Sequence, residues 1–290
     1  MEKIGLMLEG GGMRGVYTSG VLEKFMEREL QFPYVIGVSA GACNASSYLA
    51  KQRGRNRNTT IKYIRDPRYI SYRNLFKERS LFGMRFLFDV LPNQLEPFDF
   101  DTFLSNPQQF VVVTTDAYTG NPVYIDKEQA AREGWSMMDV IKASSSLPFI
   151  APPVQIGTQT LFDGGIADPL PIEKALEDGN ERVVVVSTKD ETYQIKPFRK
   201  HRVARLRYPN YPGLREALRE RALRYNRAMD RILELEKEGR VFLFRPSAVI
   251  PVARLERDEA PLEQLYQLGM SDVDRQWEKM MDWMHQPVTV

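Results

Sequence analysis

Short apolar runs alternate with amphipathic stretches from the start of the chain. Ile4-Gly5-Leu6-Met7-Leu8 is an apolar run of strand length, and after a glycine-rich break Val16, Val21, Leu22, Phe25 and Met26 recur at helical spacing, which predicts a helix to about residue 29. Tyr34-Val35-Ile36 predicts a second strand, and the alanine-rich, proline-free stretch 40–50 a second helix. Residues 109–115 and 182–188 are almost continuously apolar, as strands covered on both faces are. Residues 123–126, 158–162 and 241–245 read as further strands, and 136–143 as a helix. Two long helices close the pattern, over 214–238 and about 262–284; the first carries an apolar face of Leu214, Ala217, Leu218, Leu223, Met229, Ile232, Leu233 and Leu235. The alternation predicts a three-layer α/β/α fold with a mainly parallel central sheet.

Composition narrows the classes without choosing among them. A chain of 290 residues, 43% hydrophobic and 27% charged, can bury a sizeable core. Its net charge of +2 leaves no nucleic-acid footprint. One cysteine, Cys43, excludes an internal disulfide framework, and with two histidines the chain has too few ligands for a structural zinc site. No metal and no cofactor are expected. The first apolar run breaks at Glu9, and no stretch approaches the roughly 20 apolar residues that span a bilayer. The expected setting is the cytoplasm, or the periphery of a membrane.

Two strand-glycine-helix junctions carry candidate chemistry. In Gly10-Gly11-Gly12-Met13-Arg14-Gly15, successive glycines can turn several N–H groups toward one point at a helix start, where they stabilise negative charge. A dinucleotide loop would need a carboxylate at the end of the next strand, where this chain has Gly37-Val38-Ser39. A phosphate-cradling loop would end in Gly-Lys-Ser/Thr, where this chain has Gly15-Val16-Tyr17. An oxyanion hole fits better, and a plain tight turn is the alternative.

The second junction is Gly37-Val38-Ser39-Ala40-Gly41, the G-x-S-x-G elbow that exposes a serine nucleophile. The spelling alone arises by chance in about one chain in ten of this length; the strand before it and the small-residue helix after it add the weight. Gly37 and Gly41 would let strand and helix approach closely. Cys43 is expected to pack beneath the elbow.

Ser39 needs a base. His201 lies in the basic run 196–202, read as a solvated loop, and His285 lies near the C-terminus, so a histidine triad is disfavoured. Asp163, ending a predicted strand and followed by Gly164 and Gly165, is the best-placed carboxylate. An aspartate, with an ordinary pKa of about 3.9, is a poor base unless burial and a short hydrogen bond raise its basicity. Taken alone, Asp163 could equally cap a turn.

Together these residues resemble the patatin-like phospholipase family, whose marks are G-G-G-x-R/K-G, G-x-S-x-G and D-G-G/A in this order. The stretch from Ala143 to Pro153 also looks like the family's segment before the aspartate, and the resemblance covers about residues 3–188. It implies a Ser39–Asp163 dyad without histidine, backbone N–H groups around Gly11, Gly12 and Met13 as the oxyanion hole, and hydrolysis of lipid acyl esters through an acyl-enzyme. Where the family often has asparagine after the third motif, this chain has Asp168, which reads as a helix N-cap-like residue.

The expected organisation is a catalytic domain over 1–200 and an extension over 201–290 packed on the core. Residues 51–100, rich in arginine and aromatics, read as a cap-like insertion, a surface for anionic headgroups, or a solvated segment with core aromatics. The arginines of 214–238 suit a surface helix whose long side chains snorkel. The expected partners are a lipid or acyl-ester substrate and transient contact with an anionic membrane surface, with no nucleic acid and no specific protein. The competing reading is a noncatalytic lipid- or anion-binding protein with the same fold.

Overall fold

The computed structural model describes residues 3–286. Its frame is an eight-stranded sheet of β1 (Ile4–Leu8), β2 (Tyr34–Val38), β3 (Gln109–Asp116), β4 (Pro122–Asp126), β5 (Val154–Ile156), β6 (Gln159–Asp163), β7 (Arg182–Val186) and β8 (Val241–Phe244). The order is β5-β6-β3-β2-β1-β7-β8, with β4 also paired to β3. The pairs from β3 through β2, β1 and β7 to β8 are parallel, and those involving β4, β5 and β6 are antiparallel. The sheet is mainly parallel, as expected, with the antiparallel strands gathered at one side.

The helices are α1 (Val16–Glu27), α2 (Ala40–Leu49), α3 (Arg55–Arg57), α4 (Tyr72–Glu78), α5 (Phe100–Ser105), α6 (Lys127–Arg132), α7 (Met137–Ser144), α8 (Ile172–Glu177), α9 (His201–Arg207), α10 (Pro212–Lys237) and α11 (Glu259–His285). Wider π-helical turns run over Asn58–Lys62 and Phe86–Leu95. Alternate strand residues face opposite layers. Leu6, Leu8, Val112 and Val184 join a core with α1 and α11, while Met7, Val111, Val113 and Val185 join one with Ile172 of α8 and Ile232 and Leu235 of α10. Covering on both faces is why these strands read as unbroken apolar runs.

The C-terminal helix is locked to the start of the chain. A Cβ at Gly20 of α1 would lie 2.1 Å from the Tyr266 carbonyl oxygen of α11, and the Tyr17 hydroxyl donates to Asp272 Oδ2 at 3.0 Å. Among the described residues, no helix is long and apolar enough to cross a membrane.

Two local expectations fail for physical reasons, and residues 51–100 divide between their readings. His201 begins α9 rather than lying in a loop. Leu223, assigned to the apolar face of α10, is 51% exposed, because that face turns past it to bury Tyr225 instead. Part of the cationic excess of 51–100 is matched from outside the segment: Arg53 pairs with Glu23 at 3.2 Å, Arg57 with Glu263 at 2.8 Å and Arg65 with Glu259 at 3.0 Å. Its aromatics divide, with Tyr69 and Phe86 in the core and Tyr72 and Phe76 exposed.

Candidate active site

Adjacent parallel strands deliver the site from their C-terminal ends, where open α/β sheets present ligand-binding groups. The Gly10–Gly15 loop follows β1, Ser39 follows β2, Lys189 follows β7, and the loop after β8 contains Arg254. β3 sets the spacing between Ser39 and Asp163. On one edge of β3, Val38 is registered with Val113, where β2 ends, and Asp163 with Thr114, where β6 takes over. The residue after Val38 and the residue opposite Thr114 are thereby brought side by side, and Ser39 Oγ donates to Asp163 Oδ2 at 2.7 Å.

Ser39 has φ 53° and ψ −122°, a conformation that costs an L-residue on the order of 1–3 kcal/mol and persists only where surroundings enforce it. They do so here. A Cβ at Gly41 would lie 2.3 Å from the Leu8 carbonyl oxygen, so only glycine lets α2 start this close to β1. The Ser39 N–H donates to Ser144 Oγ at 2.8 Å, and Ser144 Oγ donates to the Val113 carbonyl at 2.6 Å, tying the elbow back to β3.

Asp163 is 5% exposed. Its Oδ1 accepts from the Gly165 N–H at 2.8 Å, and its own N–H donates to the Ser146 carbonyl at 3.0 Å. Burial raises its carboxyl above the usual aspartate range, opposed by the hydrogen bonds from Ser39 and Gly165 and by the charges of Arg221 and Arg254. The result is a carboxylate more basic than a free one, in hydrogen-bond contact with a serine hydroxyl. His201 and His285 are exposed helix-terminal residues with no part in this cluster.

The glycine loop touches the serine directly: a Cβ at Gly10 would sit 2.9 Å from the Ser39 Cβ. Among the described residues, the Gly10 and Gly11 amides donate to nothing, and Gly12, with φ 60°, opens the short turn Gly12–Gly15, whose first N–H has no intrahelical acceptor. Met13 corrects the expectation of a third donor, because its N–H donates to the Arg254 carbonyl at 3.2 Å. Arg14 donates through Nε to the Val252 carbonyl at 2.8 Å, so its guanidinium braces the β8–α11 loop. Asp168 is also corrected. It does not cap α8, and its Oδ2 accepts the Tyr124 hydroxyl at 2.8 Å.

Two cavities open on Ser39. One, of about 160 Å³, runs between α2, α7 and the 55–91 segment, walled by Tyr69, Phe82, Met84, Leu87, Leu91 and Ile141. Cys43 lines this cavity rather than lying beneath the elbow; burial pushes its thiol up to about 11. The other, of about 60 Å³, is lined by Asp163, Lys189, Tyr193, Arg221 and Arg254 together with Ser39. Lys189 pairs with buried Glu9 at 3.2 Å, and burial holds its ammonium below the ordinary lysine range. Sequence reasoning missed Lys189, Arg221 and Arg254, which belong to no motif.

Two family models match the chain. The model of the patatin-like phospholipase family matches residues 6–176, and that of a domain of unknown function, DUF6363, matches residues 211–285. The uncharacterized protein YjjU of Escherichia coli is 29% identical over 191 residues, which cover 64% of this chain and 52% of that protein. Lysophospholipase NTE1 of Candida albicans is 22% identical over 306 residues, 97% of this chain and 20% of that protein. The chain thus spans about half, or less, of the length of these curated relatives. The crystal structure of VipD from Legionella pneumophila aligns with a TM-score of 0.42 at 14% identity, over 94% of this chain and 67% of that one.

Proposed function

The chain belongs to the patatin-like phospholipase family, and from that premise we propose that it is a serine acyl hydrolase cleaving lipid esters through a Ser39–Asp163 dyad. The observation that carries the reading is the 2.7 Å hydrogen bond from Ser39 Oγ to a buried carboxylate whose basicity burial has raised. In the first step the Ser39 proton passes to Asp163 as Oγ bonds to the ester carbonyl carbon, and the carbonyl electron pair moves onto oxygen. The Gly11 and Gly12 amides stabilise that oxyanion; losing one such donor typically costs about 10²–10³ in turnover. Collapse expels the alcohol, which takes the proton from Asp163 and leaves an acyl-Ser39. Water then repeats the sequence. The apolar cavity receives the acyl chain.

Asp163 must be ionised to accept the proton, so activity rises with pH through its elevated pKa, and the acidic limb of kcat/KM lies above the ordinary aspartate range. Ser39→Ala and Asp163→Asn should each lower hydrolysis of p-nitrophenyl butyrate by at least about 10³-fold. Activity retained in Asp163→Asn would sink the dyad, and failure of a fluorophosphonate to label Ser39 in the parent protein would favour a noncatalytic binding protein.

Peripheral contact with an anionic bilayer belongs to the same reading. α4 exposes Tyr72 and Phe76 beside Arg73, Lys77 and Arg79, with Phe76 88% exposed. α9 exposes Val203 and Leu206 among Arg202, Arg205 and Arg207. One loop joins their surroundings: the Leu81 N–H donates to the Ile150 carbonyl at 2.8 Å, and the neighbouring Phe149 packs on Phe198 and Tyr208, which flank α9. Apolar tips ringed by cations are the chemistry of a surface that seats on acidic lipid headgroups.

A further inference from the structure

The smaller cavity at Ser39 holds more cationic donors than the protein uses. Lys189 is matched by Glu9 at 3.2 Å. Arg221, on α10, spends its Nε on the Gly165 carbonyl at 2.6 Å, and among the described residues its guanidinium forms no ion pair. The Arg254 side chain makes neither a hydrogen bond nor an ion pair among the described residues, although its backbone is fastened by the Met13 N–H. Asp163, the acid in the same cavity, accepts from Ser39 and Gly165 and not from either guanidinium. Burial, and after it the Arg254 charge, act against the charged form of Arg221, opposed by the charges of Asp163 and Glu9. Neither guanidinium is salt-bridged among the described residues, so N–H donors of both are free to take an anion entering the cavity. Their planar forks match phosphate oxygens.

Position identifies which part of a substrate would meet them. With the ester carbon at Ser39, acyl chain and alcohol must leave in different directions, and the apolar cavity accounts for the chain. We propose that the second cavity is an anion subsite in which Arg221 and Arg254 bind a phosphate on the alcohol portion of the acyl ester. This rests on the acyl-hydrolase reading above. Both arginines lie in the part of the chain matched by the domain of unknown function, which thereby acquires a role in substrate selection.

The test compares kcat/KM for a 1-acyl lysophosphatidate with that for the monoacylglycerol of the same chain. The parent protein should prefer the phosphate-bearing ester, and Arg254→Gln should cut that preference about tenfold or more, mainly through KM. Arg221→Lys, which keeps the charge but loses the fork, should cut it less. A preference unmoved in both variants, or both substrates losing rate by one common factor, overturns the subsite. The second outcome would mean that the arginines only tune Asp163. Inorganic phosphate inhibiting monoacylglycerol hydrolysis competitively in the parent, and less in Arg254→Gln, supports a site that accepts free phosphate. Absence of inhibition with the preference intact supports one that takes phosphate only as part of a lipid. Ser39→Ala retaining activity on both substrates would instead overturn the dyad, so the two failures are separable.

Discussion

The two cavities that meet at Ser39 differ in material and in origin. Both have apolar walls, but the larger lies between α2, α7 and the 55–91 segment, whereas the smaller adds three cations: Arg221 from α10, and Lys189 and Arg254 from the loops after β7 and β8. Apolar burial is nondirectional and grows with the area removed from water, at about 25 cal/mol per Å². It therefore grades chain length without recognising any particular atom. Guanidinium forks act at fixed angles and distances and reject groups that cannot complete them. On the proposed reading the protein has a tolerant side and a selective side, divided at the Ser39 hydroxyl.

That division can be broken from the tolerant side first. Leu87→Trp should fill part of the larger cavity and lower kcat/KM for a C16 p-nitrophenyl ester relative to its C4 counterpart by about tenfold, the equivalent of roughly two methylenes excluded at ~0.8 kcal/mol each. An unchanged ratio would place the acyl chain elsewhere. Phe76→Ser should reduce co-sedimentation with phosphatidylglycerol vesicles by about fivefold, as one largely exposed aromatic is lost from the seating surface. Equal binding by variant and parent would remove α4 from that surface. The smallest effect lies at the shared point. Ser39→Gly and Ser39→Ala both lose the hydroxyl, but only glycine relieves φ 53°. Relief of about 1–3 kcal/mol, less about 0.5–1 for glycine's chain entropy, should leave Ser39→Gly about 1 kcal/mol more stable by urea denaturation. Equal midpoints would mean that the elbow stores no backbone strain.

What the sequence revealed tracks these regions unevenly. Gly10–Gly15, Ser39 and Asp163 each sit in a local pattern, because close backbone approach and a strained turn demand glycines at fixed offsets. Lys189, Arg221 and Arg254 answer to no local demand. Each is an ordinary cation on its own element, and only the sheet order β1-β7-β8 and the lie of α10 bring them to the serine. The same limit applies to Arg53, Arg57 and Arg65, whose acidic partners Glu23, Glu263 and Glu259 lie in α1 and α11. Asp168 was misread because its partner, Tyr124, comes from β4, and Met13 because Arg254 is far along the chain. The strands were legible because burial on both faces leaves an unmistakable apolar run.

Because Val113 and Thr114 of β3 meet the ends of two different strands, the spacing of Ser39 and Asp163 is counted in whole peptide units. A slip of one residue would turn one of the two side chains to the opposite face of the sheet, and a slip of two would move it along the strand by about 7 Å. The register of β3 with its two neighbours thus sets the distance between the pair in discrete steps. The walls of both cavities carry no such constraint, because they come from helices and loops outside these two strand pairings.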